Sequence, residues 1–286
     1  MDRSMMILSG AKIALYLGME IPGGFIDRFL AFILHRLIRY RVDVVRANLK
    51  ASFDYTDDRN LENDIWNYYR YLAKTIRQVM VRPSSKILQR RITMEVTPQL
   101  NTWLESGKSV IVTFGHTGNW EWTGSFLGMR YPDRVCALYK KISSDWADRF
   151  MLRRRRTHVN HLIEIGKMGE LLRLIREKPV LLLMIADQNP GNDQGLHWVP
   201  FLNRKTAFVT GPENLALRLK LPVVYIRTAP TGMGCYHQTC EVIYDGEEQV
   251  ESGEITRRFA ERLEENIRAH RDIWLWSHKR WKRNLT

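Results

Sequence analysis

Residues 103–122 read WLESGKSVIVTFGHTGNWEW, and their texture changes twice along the way. A polar, helix-compatible start closes at Ser106-Gly107, an apolar run follows from Val110 to Phe114, and polar residues resume at His116. A run that short and continuous belongs to a strand covered on both faces, because a half-exposed strand alternates. The same rhythm returns in LLRLIREKPVLLLMIA (171–186) and LALRLKLPVVYIRT (215–228). Helix, turn and buried strand repeated in that order predict an α/β fold: a single, largely parallel central sheet flanked by helices. In such a sheet the ligand site lies at the carboxyl ends of the strands. Three polar clusters fall there: His116 with Glu121, Asp187-Gln188 and Arg227-Thr228.

Upstream, VVRANLKASF (44–53) and NLENDIWNYYRYLAKTIRQVM (60–80) keep helical spacing until Pro83, with Ile65, Tyr68, Tyr69, Leu72 and Ile76 as the apolar face. The first forty residues are apolar but interrupted by Lys12, Glu20, Asp27 and Arg28, and Pro22-Gly23-Gly24 divides them into two helical pieces. A spanning helix needs about 20 mostly apolar residues, so these pieces fit an interfacial anchor better than a span. Arg28, Arg36, Arg39, Arg41 and Arg46 would each gain about 1 kcal/mol near an anionic leaflet. The competing reading packs Phe29, Leu30, Ile33, Leu34 and Leu37 onto the rest of the chain. No linker interrupts the remainder, which divides the chain into a membrane-associating helical segment, 1–40, and one domain, 41–286.

A net charge of +13 points to acidic partners: nucleic acid, anionic lipid, or a phosphorylated or acidic-protein substrate. Three cysteines are too few for a disulfide scaffold and fit a reducing compartment. Cys235 and Cys240 flank His237 without a second ligand cluster, which reads as a hairpin and no metal site.

His116 and Glu121 cannot meet on one continuous helix, where five residues span about 140° of rotation. If the strand ends at Phe114 and a helix starts near Asn119, His116 is held just ahead of Glu121 in the first helical turn. Glu121 would then accept the proton of one imidazole nitrogen and leave the other free as a base. Gly115 and Gly118 permit the close approach. A purely structural pair fits the spacing as well. ESGKS lacks the first glycine of a phosphate-binding loop and precedes its strand, and the chain has no G-x-S-x-G, H-E-x-x-H or G-x-G-x-x-G motif. A base without an enzyme nucleophile implies attack by the substrate's own hydroxyl.

FGHTGNWEW (114–122) resembles the H-x4-D/E motif of the glycerolipid acyltransferase superfamily, in the version of the late acyltransferases of lipid A biosynthesis, the lauroyl and myristoyl transferases of Gram-negative bacteria. VVRANLKASF is similar to that family's segment after its anchor, MIADQNPG (184–191) to its D-Q loop, VPFLNRKTAFVTGPENLA (199–216) to its P-F-F-G…T-G block, and WLWSHKRWK (274–282) to its C-terminal signature. The resemblance runs from about residue 42 to the C-terminus. It implies an enzyme at the cytoplasmic face of the inner membrane that moves a fatty acyl chain from an acyl carrier protein thioester to a hydroxyl of a lipid A precursor, without cofactor or metal. His116 would be the general base and Glu121 its orienting acid. The acidic carrier, the phosphorylated glycolipid acceptor and the anionic membrane would all favour a basic enzyme.

Within the run Arg153 to Arg156, the resemblance points to Arg153 and Arg155 as substrate contacts. Asp187, Gln188, Asn119 and Thr210 complete the expected binding set, with Asp187 able to pair with one of those arginines. Thr210 and Glu213 form a capping box around Pro212, leaving backbone N–H groups for an anion. Trp120 and Trp122 are expected to wall the acyl channel. Two alternatives remain: a sibling enzyme acylating a lysophospholipid or another glycolipid, which would more typically carry an F-P-E-G-T-R-like block, and a basic nucleic-acid-binding protein, which leaves the apolar N-terminus unexplained.

Overall fold

Strand β2 (Val110–Phe114) shows why the central strands are apolar on both faces of the sheet. Ile111 joins one core while Val110, Val112 and Phe114 join the other. β5 (Leu181–Ile185) and β8 (Val223–Gly232) divide in the same way, Leu182 and Tyr225 to one side, Leu183 and Val224 to the other. Each fully buried aliphatic side chain contributes about 1.5–3 kcal/mol, and alternation between two cores leaves Thr113 as the one polar residue of β2, itself buried.

The computed structural model describes residues 24–191, 195–232 and 234–282. Its main sheet has seven strands in the order β1-β9-β8-β2-β5-β3-β4, with β1 at Ile92–Glu95, β3 at Val135–Tyr139, β4 at His161–Glu164 and β9 at Cys235–Tyr244. β8, β2, β5, β3 and β4 are mutually parallel, as the helix–strand rhythm predicts. β9 returns antiparallel to β8 in a hairpin and β1 lies parallel to β9, so these two reverse the direction at one edge. Cys235, His237 and Cys240 are strand residues of that hairpin. A separate hairpin joins β6 (Leu196–Phe201) to β7 (Arg204–Val209).

Helices cover both faces. One core is closed by α2 (Val42–Ser52), α3 (Asp58–Met80), α8 (Met168–Glu177), α9 (Gly211–Leu219) and α10 (Glu254–Ala269). The other is closed by α4 (Ser85–Arg91), α5 (Pro98–Glu105) and α6 (Trp120–Arg130). α7 (Asp145–Arg155) lies between β3 and β4 in the chain.

The α3 face differs from expectation at one end. Ile65, Tyr68, Tyr69 and Leu72 are buried, but Ile76 is 42% exposed. Arg77 turns inward to meet Asp27 of α1 (Gly24–Phe32) through two hydrogen bonds of 2.6 and 2.9 Å, and Thr75 and Gln78 are buried beside it. That buried ion pair takes the inner position and turns Ile76 outward. Residues 1–23 of the expected anchor lie outside the described residues. In the remainder, Leu30 and Leu34 pack on the core, whereas Phe29 and Leu37 are exposed.

Candidate active site

β2 and β5 are in parallel register, with Phe114 opposite Ile185. Two residues beyond that last pair stand His116 on one strand end and Asp187 on the other. Their side chains meet: His116 Nδ1 lies 2.5 Å from Asp187 Oδ1, and the His116 backbone N–H donates to Asp187 Oδ2 at 2.7 Å. Trp274 Nε1–H donates to Oδ2 as well, at 2.8 Å. Three N–H groups thus converge on a carboxylate that is 2% exposed. Burial by itself would raise the Asp187 pKa; the imidazole and the N–H donors outweigh it and hold the group at about 2. An ionised Asp187 only accepts, so the hydrogen between it and the ring sits on Nδ1 and Nε2 is the nitrogen left facing the Gln188 side chain. Nε2 accepts from the Gln188 side-chain amide at 3.2 Å, and the Trp120 ring stands edge-on to the imidazole with centroids 5.0 Å apart.

Two glycines make this approach possible. A Cβ on Gly115 would come within 3.2 Å of Asp187 Oδ2 and 2.4 Å of the Leu263 side chain. Gly118 has φ +57°, and a Cβ there would meet Thr228 at 2.5 Å.

The carboxylate that meets the His116 ring is Asp187, not the Glu121 that the sequence reading paired with it. Glu121 does lie in the first turn of α6, but its carboxylate takes both arms of Arg155 from the last turn of α7, at 2.9 and 2.6 Å. A planar guanidinium matches a carboxylate at two points, a pairing an imidazole cannot offer. Burial would lower the Arg155 pKa, yet hydrogen bonding to Glu121 raises it. The expected pairing of Asp187 with one of the arginines is absent from the contacts of the described residues; Asp187 takes His116 and Trp274.

The other expected site residues separate. Arg153 is exposed on α7 with no partner among the described residues, and Arg154 bonds the Met80 carbonyl. Asn119 is 1% exposed with both side-chain polar atoms engaged, Oδ1 capping α6 at Trp122 N and Nδ2 on Gln78. Thr210 and Glu213 form no capping box: Thr210 Oγ1 donates to the Gly195 carbonyl, while the buried Glu213 carboxylate reaches across to the start of α10, taking Gly253 N–H and both the N–H and hydroxyl of Thr256. α10 begins with glycine at its cap, so its free N–H groups draw that carboxylate away. Trp122 is a core residue, and of the two tryptophans only Trp120 faces the imidazole. Arg227 is held by Glu241 and Glu265, and Thr228 by Asn266, because β8 continues past the level where β2 stops. A small cavity lined by Thr113, Ala186, Glu213 and Phe259 does not reach the imidazole.

Sequence reasoning missed the role of the C-terminal signature. Its segment clamps the site loops: Gly118 N–H donates to the Ile273 carbonyl at 3.0 Å, Thr117 bridges Trp274, and Asn189 N–H donates to His278 Nε2 at 2.9 Å. The segment is itself tied to α2 by Asn48, which donates to the Trp276 and His278 carbonyls at 2.8 and 3.0 Å. Tyr68 of α3 and Arg41 bind the backbone of Ser277. VVRANLKASF and WLWSHKRWK are thus two halves of one brace.

An imidazole held by a buried carboxylate at the carboxyl ends of parallel strands, with no serine or cysteine among its hydrogen-bond partners in the described residues, is an arrangement that can assist direct attack by a bound hydroxyl. The sequence profile of the bacterial lipid A biosynthesis acyltransferases matches residues 12–283, and the chain belongs to that family. Membership makes it an acyltransferase of lipopolysaccharide biosynthesis, implies an acyl donor and a lipid A precursor as acceptor, and suggests association with the membrane. No individual curated protein matches the chain. Among the described residues no helix is long and apolar enough to cross a membrane.

Proposed function

We propose that the protein transfers a fatty acyl chain from an acyl carrier protein thioester to a hydroxyl of a phosphorylated lipid A precursor at the cytoplasmic face of the inner membrane, with His116 as general base. The observation that carries this reading is the hydrogen bond between His116 Nδ1 and the buried Asp187 carboxylate. The acceptor hydroxyl takes the place of the Gln188 amide at Nε2 and donates its proton there, and its oxygen attacks the thioester carbonyl carbon. The C–S bond of the resulting tetrahedral anion then breaks, and the departing thiolate takes the proton from the imidazolium. Asp187 stabilises that imidazolium without becoming protonated itself. Glu121 and Arg155 supply a fixed pair at the first turn of the helix that follows the base; in this reading Arg155 steadies the anionic oxygen while Glu121 holds the guanidinium in plane. The charge of +13 suits the acidic carrier, the phosphorylated acceptor and the anionic leaflet.

The test is His116→Ala, assayed with acyl carrier protein thioesters of several chain lengths and a lipid A precursor, the product being identified by mass spectrometry. A loss of ~10²–10⁴ in turnover with folding intact is expected for removal of a general base. Retained turnover overturns the assignment, and a product found only with a lysophospholipid acceptor moves the enzyme to a sibling activity.

A further inference from the structure

α1 leaves its phenylalanines outside. It buries Asp27 and Ala31, the following π-helical turn (Ile33–Leu37) buries His35, and the large apolar side chains point out: Phe25 is 83% exposed, with Phe29, Phe32, Leu37 and Ile38 also exposed. Beyond Arg77, which ties α1 to α3, Ile76 and Met80 continue the apolar surface. Arg154 of α7 then bonds the Met80 carbonyl and lies 4.2 Å over the Phe150 ring, which stacks at 5.4 Å on Trp146, a side chain 67% exposed.

Trp146, Arg149, Phe150 and Arg153 follow the i, i+3, i+4, i+7 spacing of a single helical face. Arg149 and Arg153 are exposed and have no partner among the described residues. Asp148, on another side of the helix, is buried and caps the Ile142 N–H, and Arg155 turns to Glu121. Aromatic rings interleaved with unpaired arginines match the boundary between acyl chains and anionic headgroups, where the ring enters the first and the guanidinium meets the phosphates of the second. A protein partner would have to offer apolar and acidic groups at the same interleaved spacing; a lipid surface offers both everywhere.

We propose that α7 is a second membrane-contact edge, continuous with α1 through Ile76 and Met80, which inserts Trp146 and Phe150 into an anionic bilayer and seats Arg149 and Arg153 on lipid phosphates. This deepens the membrane-surface reading of the enzyme and rests on it. Arg155, at the end of the same helix, pairs with Glu121, so docking along α7 delivers the candidate site to the plane in which the acceptor lipid lies.

The experiment uses the full chain with mixed phosphatidylcholine and phosphatidylglycerol vesicles carrying acyl-chain-brominated lipid. Parent and Trp146→Phe are compared for tryptophan quenching, the difference isolating one of nine tryptophans. The proposal expects the quenchable share to fall in Trp146→Phe and the vesicle partition of Trp146→Ser/Phe150→Ser to weaken about tenfold, with circular dichroism and transfer to detergent-dispersed acceptor unchanged. Vesicle-bound protein with the same quenching in both forms overturns the α7 edge and leaves the anchoring reading standing. Failure of the full chain to bind vesicles removes both. Shielding of Trp146 by acyl carrier protein instead of lipid assigns the face to a protein partner and overturns the proposal.

Discussion

Asp187→Asn is the sharpest perturbation of the candidate site, because it keeps shape and removes one acceptor. In the parent three N–H donors, from the His116 ring, the His116 backbone and the Trp274 indole, meet two carboxylate oxygens. An asparagine offers one oxygen, and its NH₂ must face at least one of those donors. An unmet buried donor costs about 1–3 kcal/mol of stability. If the NH₂ faces the imidazole, the ring escapes the conflict by moving its proton to Nε2, which abolishes the base. In serine hydrolases, where an aspartate holds the imidazole in the same way, the amide costs about 10⁴ in turnover, so a loss of ~10³–10⁴ is expected here. There is a pH consequence as well. Asp187 falls from the ordinary 3.8 to about 2 on folding, so its contribution is fully present above the ordinary value and disappears as pH falls through about 2. The gap corresponds to roughly 2 kcal/mol, and the variant should lack this part of the acid-side slope in denaturant unfolding. Transfer followed by mass spectrometry and unfolding followed by circular dichroism measure the two effects. Turnover within about tenfold of the parent would mean that Asp187 does not set the imidazole tautomer, and the mechanism would be wrong.

Trp274→Phe removes one donor and keeps the ring. Loss of a hydrogen bond to a charged group predicts about a tenfold fall in turnover; steady-state kinetics equal to the parent's would deny Trp274 this part. Arg155→Lys keeps the charge but loses the two-point match to Glu121, so turnover should fall about 10–10²-fold with little change in KM for the acyl donor, and steady-state kinetics with an unchanged kcat would refute it. Burial lowers the pKa of His278, which accepts from Asn189 N–H only when neutral. Its contribution should be intact above the ordinary histidine value of 6.5 and fade as pH falls below it, a slope that His278→Gln, read by thermal unfolding across that range, should flatten.

The strands were legible because their residues answer to two cores at once: Val110, Ile111, Val112 and Phe114 supply apolar side chains to both sides of the chain, and no other element of that length imposes the condition. The reversal at β9 left no comparable mark, since a β8–β9 hairpin is set by turn geometry and by what covers the sheet edge. Placing His116, Glu121 and Asp187 near strand ends needed only topology, but choosing which acid meets the imidazole required register. Phe114 lies opposite Ile185, so His116 and Asp187 share a level although 71 residues separate them. Glu121, five positions away, looked the better partner on distance along the chain alone. Its competitor, Arg155, was in view within the arginine run; its fork geometry decides the contest, and fork geometry acts only once two helices are placed. The brace between Asn48 and the C-terminal segment was out of reach for the same reason: its hydrogen bonds run to backbone carbonyls, which carry no residue-specific signature. What could have been read is the spacing from α1 into the turn after it, where Asp27, Ala31 and His35 recur every fourth residue and Phe25, Phe29 and Phe32 fall off that stripe. Burying that stripe leaves Phe25, Phe29 and Phe32 outside beside Arg28 and Arg36, a mixed apolar and basic face that suits a membrane boundary.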